Sequence, residues 1–477
     1  MTLKRVTLFV LAVILCFGLI SLVFPKDGIK VGEFTFHFPS LQEIFSFSTE
    51  EEVDISRLER IADSLANLTI VADTNIINPD TIIIEELTTR KLDFKDDKRS
   101  VLHSFFNSIN SLASTPGKVR LMHYGDSQIE GDRITYYLRR KFQTQFGGVG
   151  PGIVPVVEAY NSNAVKREFA GNWRRYTVFG KRNPVVKHNS YGALASFSRY
   201  APVQNDSIIN DSVIYEASVT FIPTAYPFNR CNIFAGNTLK TVYIEIINGE
   251  NLVKQDSILP GTGLSVINVS LEAMSEPVTI HFRGKDSPDI YGVDLTGTTG
   301  VQVDNIPMRG SSGTIFTKMN GALLTQMYDK LNVKLLILQF GGNVVPYIDS
   351  EKACSNYGNM FYAQLSYLKK RYPEVSIIVI GPSDMSMKDK ERYVTYPLLP
   401  IVRDVLKEAT FKAGGAYWDM FEAMGGENSM PVWVAANPPL AAKDYIHFSP
   451  RGARLIAEMF YDALIHEYKI YQKSRKN

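Results

Sequence analysis

The 477-residue sequence has few cysteines and almost no surplus of charge. Its three cysteines, Cys16, Cys231 and Cys354, are too few for a disulfide framework and lack metal-ligand spacing. In an oxidising compartment, a Cys231 to Cys354 bridge is the alternative to two free buried thiols. The 51 Lys and Arg nearly balance the 49 Asp and Glu, so nothing indicates a nucleic-acid partner. The sequence also lacks a phosphate-cradling loop, and we predict a chemistry that needs no cofactor or metal.

A long uncharged run occurs at the amino terminus. Lys4 and Arg5 precede residues 6–24, which carry no charge and are long enough to cross a bilayer as a helix. No cleavage site of small residues follows, so we predict an uncleaved membrane anchor over residues 1–25, with the rest of the chain periplasmic or extracellular. Lipoprotein processing at Cys16 is the weaker alternative, since Leu15 stands where a small residue would be needed.

The remaining sequence, with 45% apolar residues overall, can bury a large core. Residues 26–96 alternate short apolar patches with charged runs, and we interpret them as a spacer. Helical spacing within it is confined to residues 51–67, through Ile55, Leu58, Ala62 and Leu65. A second amphipathic helix is predicted over 97–112, where the first part of a catalytic domain begins (97–155).

Ser127 lies in the stretch LMHYGDSQIEG, residues 121–131. The pattern predicts a strand over 118–124 and a helix over 129–142, which places the serine at a strand-to-helix turn. That location suits a nucleophile, because α/β sheets open their crevice at the carboxyl ends of strands and helix-start amides stabilise an oxyanion. The alternative role for Ser127 is that of a helix N-cap.

Residues 156–292 have a different character, with short alternating runs separated by Asn, Gly, Asp and Ser turns. Such runs cover 212–222, 240–247, 264–271 and 277–283, and they are typical of an antiparallel sandwich. We therefore predict an inserted β-sandwich domain. Its aromatic residues either offer a carbohydrate-stacking surface or fill the sandwich core; they are Trp173, Tyr176, Phe179, Tyr191, Phe197 and Tyr200.

An α/β rhythm returns in residues 293–477, the second part of the catalytic domain. Strands are predicted over 301–305, 333–340, 374–380 and 416–420, and helices over 314–331, 357–371, 396–413 and 451–468. This alternation predicts an α/β fold with a three-layer, doubly wound parallel sheet.

Four short features lie at the predicted strand ends or just before the last helix: Gly125-Asp126-Ser127, Gly310, Gly341-Gly342-Asn343 and Asp444-x-x-His447. Acyl transfer needs a nucleophile, a general base, a carboxylate that orients the base, and donors to the oxyanion. Ser127, His447 and Asp444 fill the first three roles. The backbone N–H groups of Ser127 and Gly310 and the side chain of Asn343 fill the fourth.

These blocks resemble those of the SGNH, or GDSL-like, hydrolase superfamily, over roughly residues 98–155 and 295–470. Gly131 follows the serine and Asn305 precedes Gly310 at the family's usual intervals, although Val344 stands where many members carry Asp. The resemblance implies that Ser127 is the nucleophile, His447 the base, Asp444 the orienting acid, and Ser127, Gly310 and Asn343 the oxyanion hole. The layout is similar to that of exported esterases that remove O-acetyl groups from peptidoglycan and carry a carbohydrate-binding-module-like insertion.

Several other residues compete for these roles. His123, four residues before Ser127, is the nearest rival base. Asp384 and Asp419 lie near strand ends and are alternatives to Asp444. Arg309, beside Gly310, either contacts substrate or braces its loop.

The leading hypothesis is a membrane-anchored serine esterase that removes O-acetyl groups from a cell-wall or surface glycan. The first alternative is an O-acetyltransferase component that works with a membrane acyltransferase. The second is a catalytically silent glycan-binding surface protein, and the third is a lipase, for which the sequence shows no lid-like apolar segment.

Overall fold

The computed structural model describes residues 3–25, 29–31, 34–36, 53–71, 91–160, 162–203 and 212–475. Residues 1–53 form one unit. It contains helix α1 (Leu3–Val23) and the antiparallel pair β1 (Ile29–Val31) and β2 (Phe34–Phe36). Across the described residues, no helix meets the length and apolarity that a membrane crossing requires. The anchor predicted over residues 1–25 is thus unconfirmed.

Residues 54–477 form the second unit. Its helices are α2 (Ser56–Val71), α3 (His103–Ser111), α4 (Thr135–Phe146), α5 (Gly321–Leu331), α6 (Glu351–Arg371), α7 (Leu399–Lys412), α8 (Met420–Ala423), α9 (Ser429–Ala435) and α10 (Pro450–Ser474). Its strands are β3 (Lys118–Gly125), β4 (Gly152–Val154), β5 (Val165–Ala170), β6 (Arg174–Thr177), β7 (Ser196–Arg199), β8 (Tyr215–Pro223), β9 (Arg230–Thr238), β10 (Val242–Asn248), β11 (Asn251–Ile258), β12 (Gly261–Ser270), β13 (Val278–Gly284), β14 (Asp289–Thr296), β15 (Gly300–Pro307), β16 (Val333–Gln339), β17 (Ser376–Ile380), β18 (Ser386–Asp389), β19 (Arg392–Thr395) and β20 (Ala416–Trp418).

A five-stranded parallel sheet runs in the order β15-β3-β16-β17-β20. The apolar residues of β16 and β17 are buried, as expected for strands covered on both faces. The register pairs Gly125, the last residue of β3, with Pro307 of β15 and Gln339 of β16. The carboxyl ends of these three strands therefore meet at one edge, and the predicted parallel sheet is confirmed.

Two antiparallel sheets lie between the strands of the parallel sheet in sequence. Their orders are β11-β10-β13-β8-β5 and β12-β9-β14-β7-β6, and β4 pairs with β14. Apolar residues of both sheets form one buried cluster, which makes the pair a sandwich. Four of the six aromatic residues considered for glycan stacking, Tyr176, Tyr191, Phe197 and Tyr200, are at most 5% exposed and are core residues. The exact bounds of an inserted domain stay a prediction.

Some elements differ from those that the sequence pattern predicts. The helix predicted over 129–142 begins only at Thr135, because Gly131 (φ +64°) and Asp132 (φ +67°) take left-handed conformations that interrupt it. A 3₁₀ turn, Ser127–Asp132, occupies the interval. Cys231 and Cys354 are free thiols.

The helix predicted over 51–67 corresponds to α2, whose described bounds are Ser56–Val71. Ile55, Leu58 and Ala62 are buried, as the helical spacing indicates. The side chain of Leu65 lies outside the described residues. The interpretation of residues 26–96 as a spacer falls largely outside them too.

Candidate active site

Ser127 lies two residues after Gly125, the last residue of β3, and opens the 3₁₀ turn. The capping role belongs to its neighbour, because the side chain of Asp126 accepts a hydrogen bond from the Gln128 N–H at 3.0 Å. The bend is tight at Gly125, where an added Cβ would lie 2.9 Å from the side chain of Ile129. The hydroxyl group of Ser127 is thus not used as a cap.

His447 and Asp444 lie in the turn before α10, and the structure brings both to Ser127. The Ser127 Oγ is 2.8 Å from His447 Nε2, and His447 Nδ1 is 2.8 Å from Asp444 Oδ2. Asp444 Oδ1 accepts hydrogen bonds from the backbone N–H groups of Ile446 and His447, each at 3.0 Å. Partial burial raises the pKa of Asp444, but the hydrogen bonds from His447 and Ile446 lower it by more. The net effect is a pKa below the usual value for an aspartate. The side chains form one hydrogen-bonded line that ends in a carboxylate.

The rival base occupies a different environment. His123 is fully buried, and its ring nitrogens lie 2.9 Å from Thr135 Oγ1 and 3.0 Å from Gln339 Oε1. Burial lowers the pKa of His123 to about 4. A neutral, enclosed imidazole is a core residue here.

The rival acids serve other groups. Asp384 is buried and accepts hydrogen bonds from Thr395 Oγ1 and the Met430 N–H, both at 2.7 Å. Asp419 caps α8 by accepting from the Glu422 N–H at 3.2 Å. Asp444 holds the position beside His447 Nδ1 that either of them would need.

Asn343 follows β16, and its amide is fixed from two sides. Its Nδ2 donates to Asp126 Oδ2 at 3.1 Å and to the Ser311 carbonyl at 3.2 Å. An amide nitrogen carries two hydrogens, so an oxyanion at this site must share one with these acceptors or displace one of them. Asp126 and the Ser311 carbonyl together orient the amide of Asn343.

Gly310 lies in the exposed turn after β15 with φ +73°. The Met308 N–H donates to the Gly125 carbonyl at 2.8 Å, which ties this turn to the end of β3. An added Cβ on Gly310 would meet no atom within 4 Å, so the turn borders open space. The guanidinium of Arg309 lies 5.1 Å from the centroid of the Tyr160 ring, a contact that braces the turn.

The structure adds a residue that the sequence pattern did not single out. Gln128 Nε2 donates to the Ile446 carbonyl at 2.6 Å and to Ser383 Oγ at 3.3 Å. It therefore links the turn that carries Ser127 to the turn that carries His447. The only signal in the sequence is that Gln128 follows the serine.

A cleft of about 160 Å³ opens beside Ser127, His447 and Asn343. Its walls are mainly apolar, formed by Phe340, Pro346, Tyr347, Pro382, Met385 and Met420. A small acyl group can enter such a cleft next to the serine hydroxyl. Within the described part of the chain, no group of three or more His, Cys, Asp or Glu side chains could hold a metal ion.

No protein-family model and no curated protein sequence matches this chain. The structure matches a solved structure of a peptidoglycan O-acetylesterase at a TM-score of 0.60 and 22% identity, over 77% of this chain and 96% of that chain. A family two carbohydrate esterase from Clostridium thermocellum matches at a TM-score of 0.23 and 11% identity, over 52% of this chain and 90% of that one. A putative GDSL-like lipase from Parabacteroides merdae matches at 0.25 and 16%, over 34% and 72%. Of these likenesses, the first shows a shared fold, as the resemblance in the sequence predicts.

Proposed function

We propose that this protein is a serine esterase of the SGNH type that removes O-acetyl groups from a cell-wall or surface glycan. The observation that carries the proposal is the hydrogen-bonded line from Ser127 Oγ through His447 to Asp444, with 2.8 Å at both steps. The fold shared with a peptidoglycan O-acetylesterase supports the choice of substrate.

In the acylation step, Ser127 Oγ attacks the carbonyl carbon of the acetyl ester while His447 Nε2 takes the hydroxyl proton. The negative charge of Asp444 stabilises the imidazolium that forms. The carbonyl oxygen becomes an oxyanion, for which the N–H groups of Ser127 and Gly310 and the amide of Asn343 are the proposed donors. When the ester C–O bond breaks, the sugar oxygen leaves with the proton from His447.

Deacylation repeats the sequence with water. His447 Nε2 takes a proton from a water molecule, whose oxygen attacks the acetyl carbonyl carbon on Ser127. The bond to Ser127 Oγ then breaks, the proton returns to this oxygen, and acetic acid leaves as acetate. The small apolar cleft beside Ser127 suits the acetyl group during both steps.

The test is acetate release by the full-length chain from O-acetylated peptidoglycan and, separately, from acetylated xylan. We expect release from at least one polymer, and a loss of several powers of ten in Ser127→Ala. Ser355→Ala is the matched control, because the Ser355 hydroxyl donates to the Glu351 carbonyl on α6 and should leave the rate unchanged.

Full acetate release by Ser127→Ala would rule out this mechanism. A second outcome would favour the acetyltransferase: folded protein that releases no acetate from either polymer but transfers an acetyl group to an added sugar acceptor. The membrane acyltransferase partner of such an enzyme stays a prediction.

We also propose that the chain is anchored by its amino-terminal segment and that residues after the anchor are periplasmic or extracellular. The support comes from the sequence, in which Lys4 and Arg5 precede the uncharged residues 6–24. Membrane fractionation with a carbonate wash, followed by protease treatment of intact cells or spheroplasts, tests it. Recovery of the full-length chain in the soluble cytoplasmic fraction would contradict it.

A further inference from the structure

The turn that carries Asp444 and His447 contains a residue in an uncommon backbone conformation. Tyr445 has φ +58°, in the left-handed region that a bulky side chain seldom adopts. Such a conformation persists only where the surrounding structure holds it. Since Tyr445 lies between the proposed acid and the proposed base, relaxation of this residue would move the imidazole relative to Ser127.

A short hairpin formed by β18 and β19 holds Tyr445 from one side. The ring of Tyr393, in β19, stacks on the ring of Tyr445 with 3.5 Å between centroids and 7° between planes. The Ser386 N–H, in β18, donates to the Tyr445 carbonyl at 3.0 Å. The hairpin therefore contacts both the side chain and the backbone of the strained residue.

The next peptide group is held by a different element. The Ile446 carbonyl accepts from Gln128 Nε2 at 2.6 Å, and Gln128 follows Ser127 directly. Successive carbonyls, those of Tyr445 and Ile446, are thus fixed by two different elements. His447 comes immediately after them.

The base of the hairpin is itself anchored in the interior. Thr395 Oγ1 donates to Asp384 Oδ1 at 2.7 Å, and the Thr395 N–H donates to Asn428 Oδ1 at 3.0 Å. Asp384 Oδ2 accepts from the Met430 N–H at 2.7 Å. Asp384 and Thr395 are buried, whereas Met387 and Tyr393 are 36% and 38% exposed. The hairpin is rigid at its base and presents Tyr393 to the turn.

We propose that the β18–β19 hairpin positions His447, with Tyr393 as the positioning residue that acts through Tyr445. The inference rests on the proposed function, in which His447 takes the proton of Ser127. Loss of the ring contact lets the turn relax and misaligns the imidazole with the serine hydroxyl. A displacement of about 1 Å at a reacting group can lower a rate by about 100-fold.

The experiment compares variants on a small soluble ester, 4-nitrophenyl acetate. Tyr393→Ala should lower kcat by about 10- to 100-fold with little change in KM, because the apolar residues named above as walls of the cleft lie outside the turn that relaxes. Tyr393→Phe keeps the ring and should keep kcat. Met387→Ala, an exposed change on the same hairpin, is the matched control and should leave kcat unchanged.

A second readout is the rate at which a fluorophosphonate modifies Ser127. This reaction needs His447 as the base but no glycan and no turnover, so Tyr393→Ala should slow it in parallel with kcat. Tyr393→Leu fills the space without a planar ring and gives the same test if the alanine variant folds poorly. The double variant Tyr393→Ala, Tyr445→Ala should react no more slowly than the slower of the two single variants, since each change removes the same ring contact.

The inference is overturned if folded Tyr393→Ala or Tyr393→Leu matches the unaltered protein in kcat and in labelling rate. It is also overturned if Tyr393→Phe is as impaired as Tyr393→Ala, because the hydroxyl and not the ring would then matter. If the unaltered protein neither cleaves the ester nor reacts with the phosphonate, the proposed function itself fails. These outcomes separate the two proposals.

Discussion

Asp126 is a buried carboxyl group beside the proposed nucleophile, where it caps a turn and orients Asn343. Burial raises its pKa to about 6, although the hydrogen bonds from Gln128 and Asn343 and the charge of His447 act in the opposite direction. An unfolded aspartate ionises at a pKa of about 3.9. Between these values the folded state holds a proton that the unfolded state releases. The contribution of this bound proton to the free energy of unfolding is fully present below about pH 4 and is lost as the pH rises through about 6.

We therefore expect Asp126→Asn to gain stability, relative to the unaltered protein, as the pH rises from about 4 to about 7. The asparagine is neutral throughout, whereas Asp126 must ionise in a buried site. The relative gain is on the order of 3 kcal/mol, since one pKa unit corresponds to about 1.4 kcal/mol. Urea unfolding of both proteins across this pH range measures it.

The control for this experiment is Asp389→Asn, which changes an exposed residue of the hairpin. Its stability relative to the unaltered protein should vary with pH by less than about 0.5 kcal/mol. A difference between Asp126→Asn and the unaltered protein that stays constant over the same range would contradict the role assigned to Asp126.

At the scale of single residues, spacing predicts some contacts and not others. Asp444 and His447 are three positions apart in a turn, so their contact is local and could be predicted from the sequence. Two hydrogen bonds join residues more than 200 positions apart in the sequence, one between Asn343 and Asp126 and one between Gln128 and Ile446. Such pairs depend on how the strands are ordered in the sheet, which a single sequence does not reveal.

At the scale of elements, a buried ion triad joins the parallel sheet to the sandwich. Arg120 of β3 contacts Asp304 of β15 at 2.7 Å and Asp294 of β14 at 2.6 Å, with all three side chains at most 2% exposed. Burial lowers the pKa of Arg120, but the two neighbouring carboxylates raise it by more. The guanidinium is thus charged and compensated.

Replacing Arg120 by alanine should lower the free energy of unfolding by about 3 to 5 kcal/mol, because it leaves two buried carboxylates without a counter-charge. Chemical denaturation measures the change. The matched control is Arg283→Ala, whose partner Glu216 and own side chain are both about 65% exposed, and which should cost about 1 kcal/mol or less. Equal effects of the two changes would show that the triad has no special role.

The elements themselves could be predicted where periodicity is strong and could not where turn residues are atypical. The buried strands β16 and β17 follow from continuous apolar runs. The β18–β19 hairpin does not, because its turn residues Lys390 and Glu391 lack the Gly or Asn signal, although Lys390 takes φ +53°. Because this hairpin contacts Tyr445, the contacts that hold the turn before His447 could not be predicted from the sequence either.

At the scale of the whole molecule, the sandwich shares a core with the α/β part. Tyr191 and Tyr291 belong to the same buried cluster as Tyr124 of β3 and Tyr328 of α5. The Tyr124 hydroxyl donates to the Ala193 carbonyl at 2.7 Å and lies 2.8 Å from the Tyr328 hydroxyl. The sequence pattern predicts an inserted domain, and burying these aromatic side chains requires both that domain and the α/β part of the chain.

We therefore expect residues 54–477 to unfold in one cooperative calorimetric transition, although the sequence suggests two modules. Replacing residues 156–292 by a short Gly-Ser linker should abolish cooperative folding, because it uncovers the apolar cluster around Tyr124 and removes β9, the strand that pairs with Asp294 and holds it beside Arg120. The same linker inserted at the exposed turn after Gly249 is the control and should preserve the transition. A deletion variant that unfolds cooperatively and cleaves 4-nitrophenyl acetate would show instead that the sandwich is an independent module.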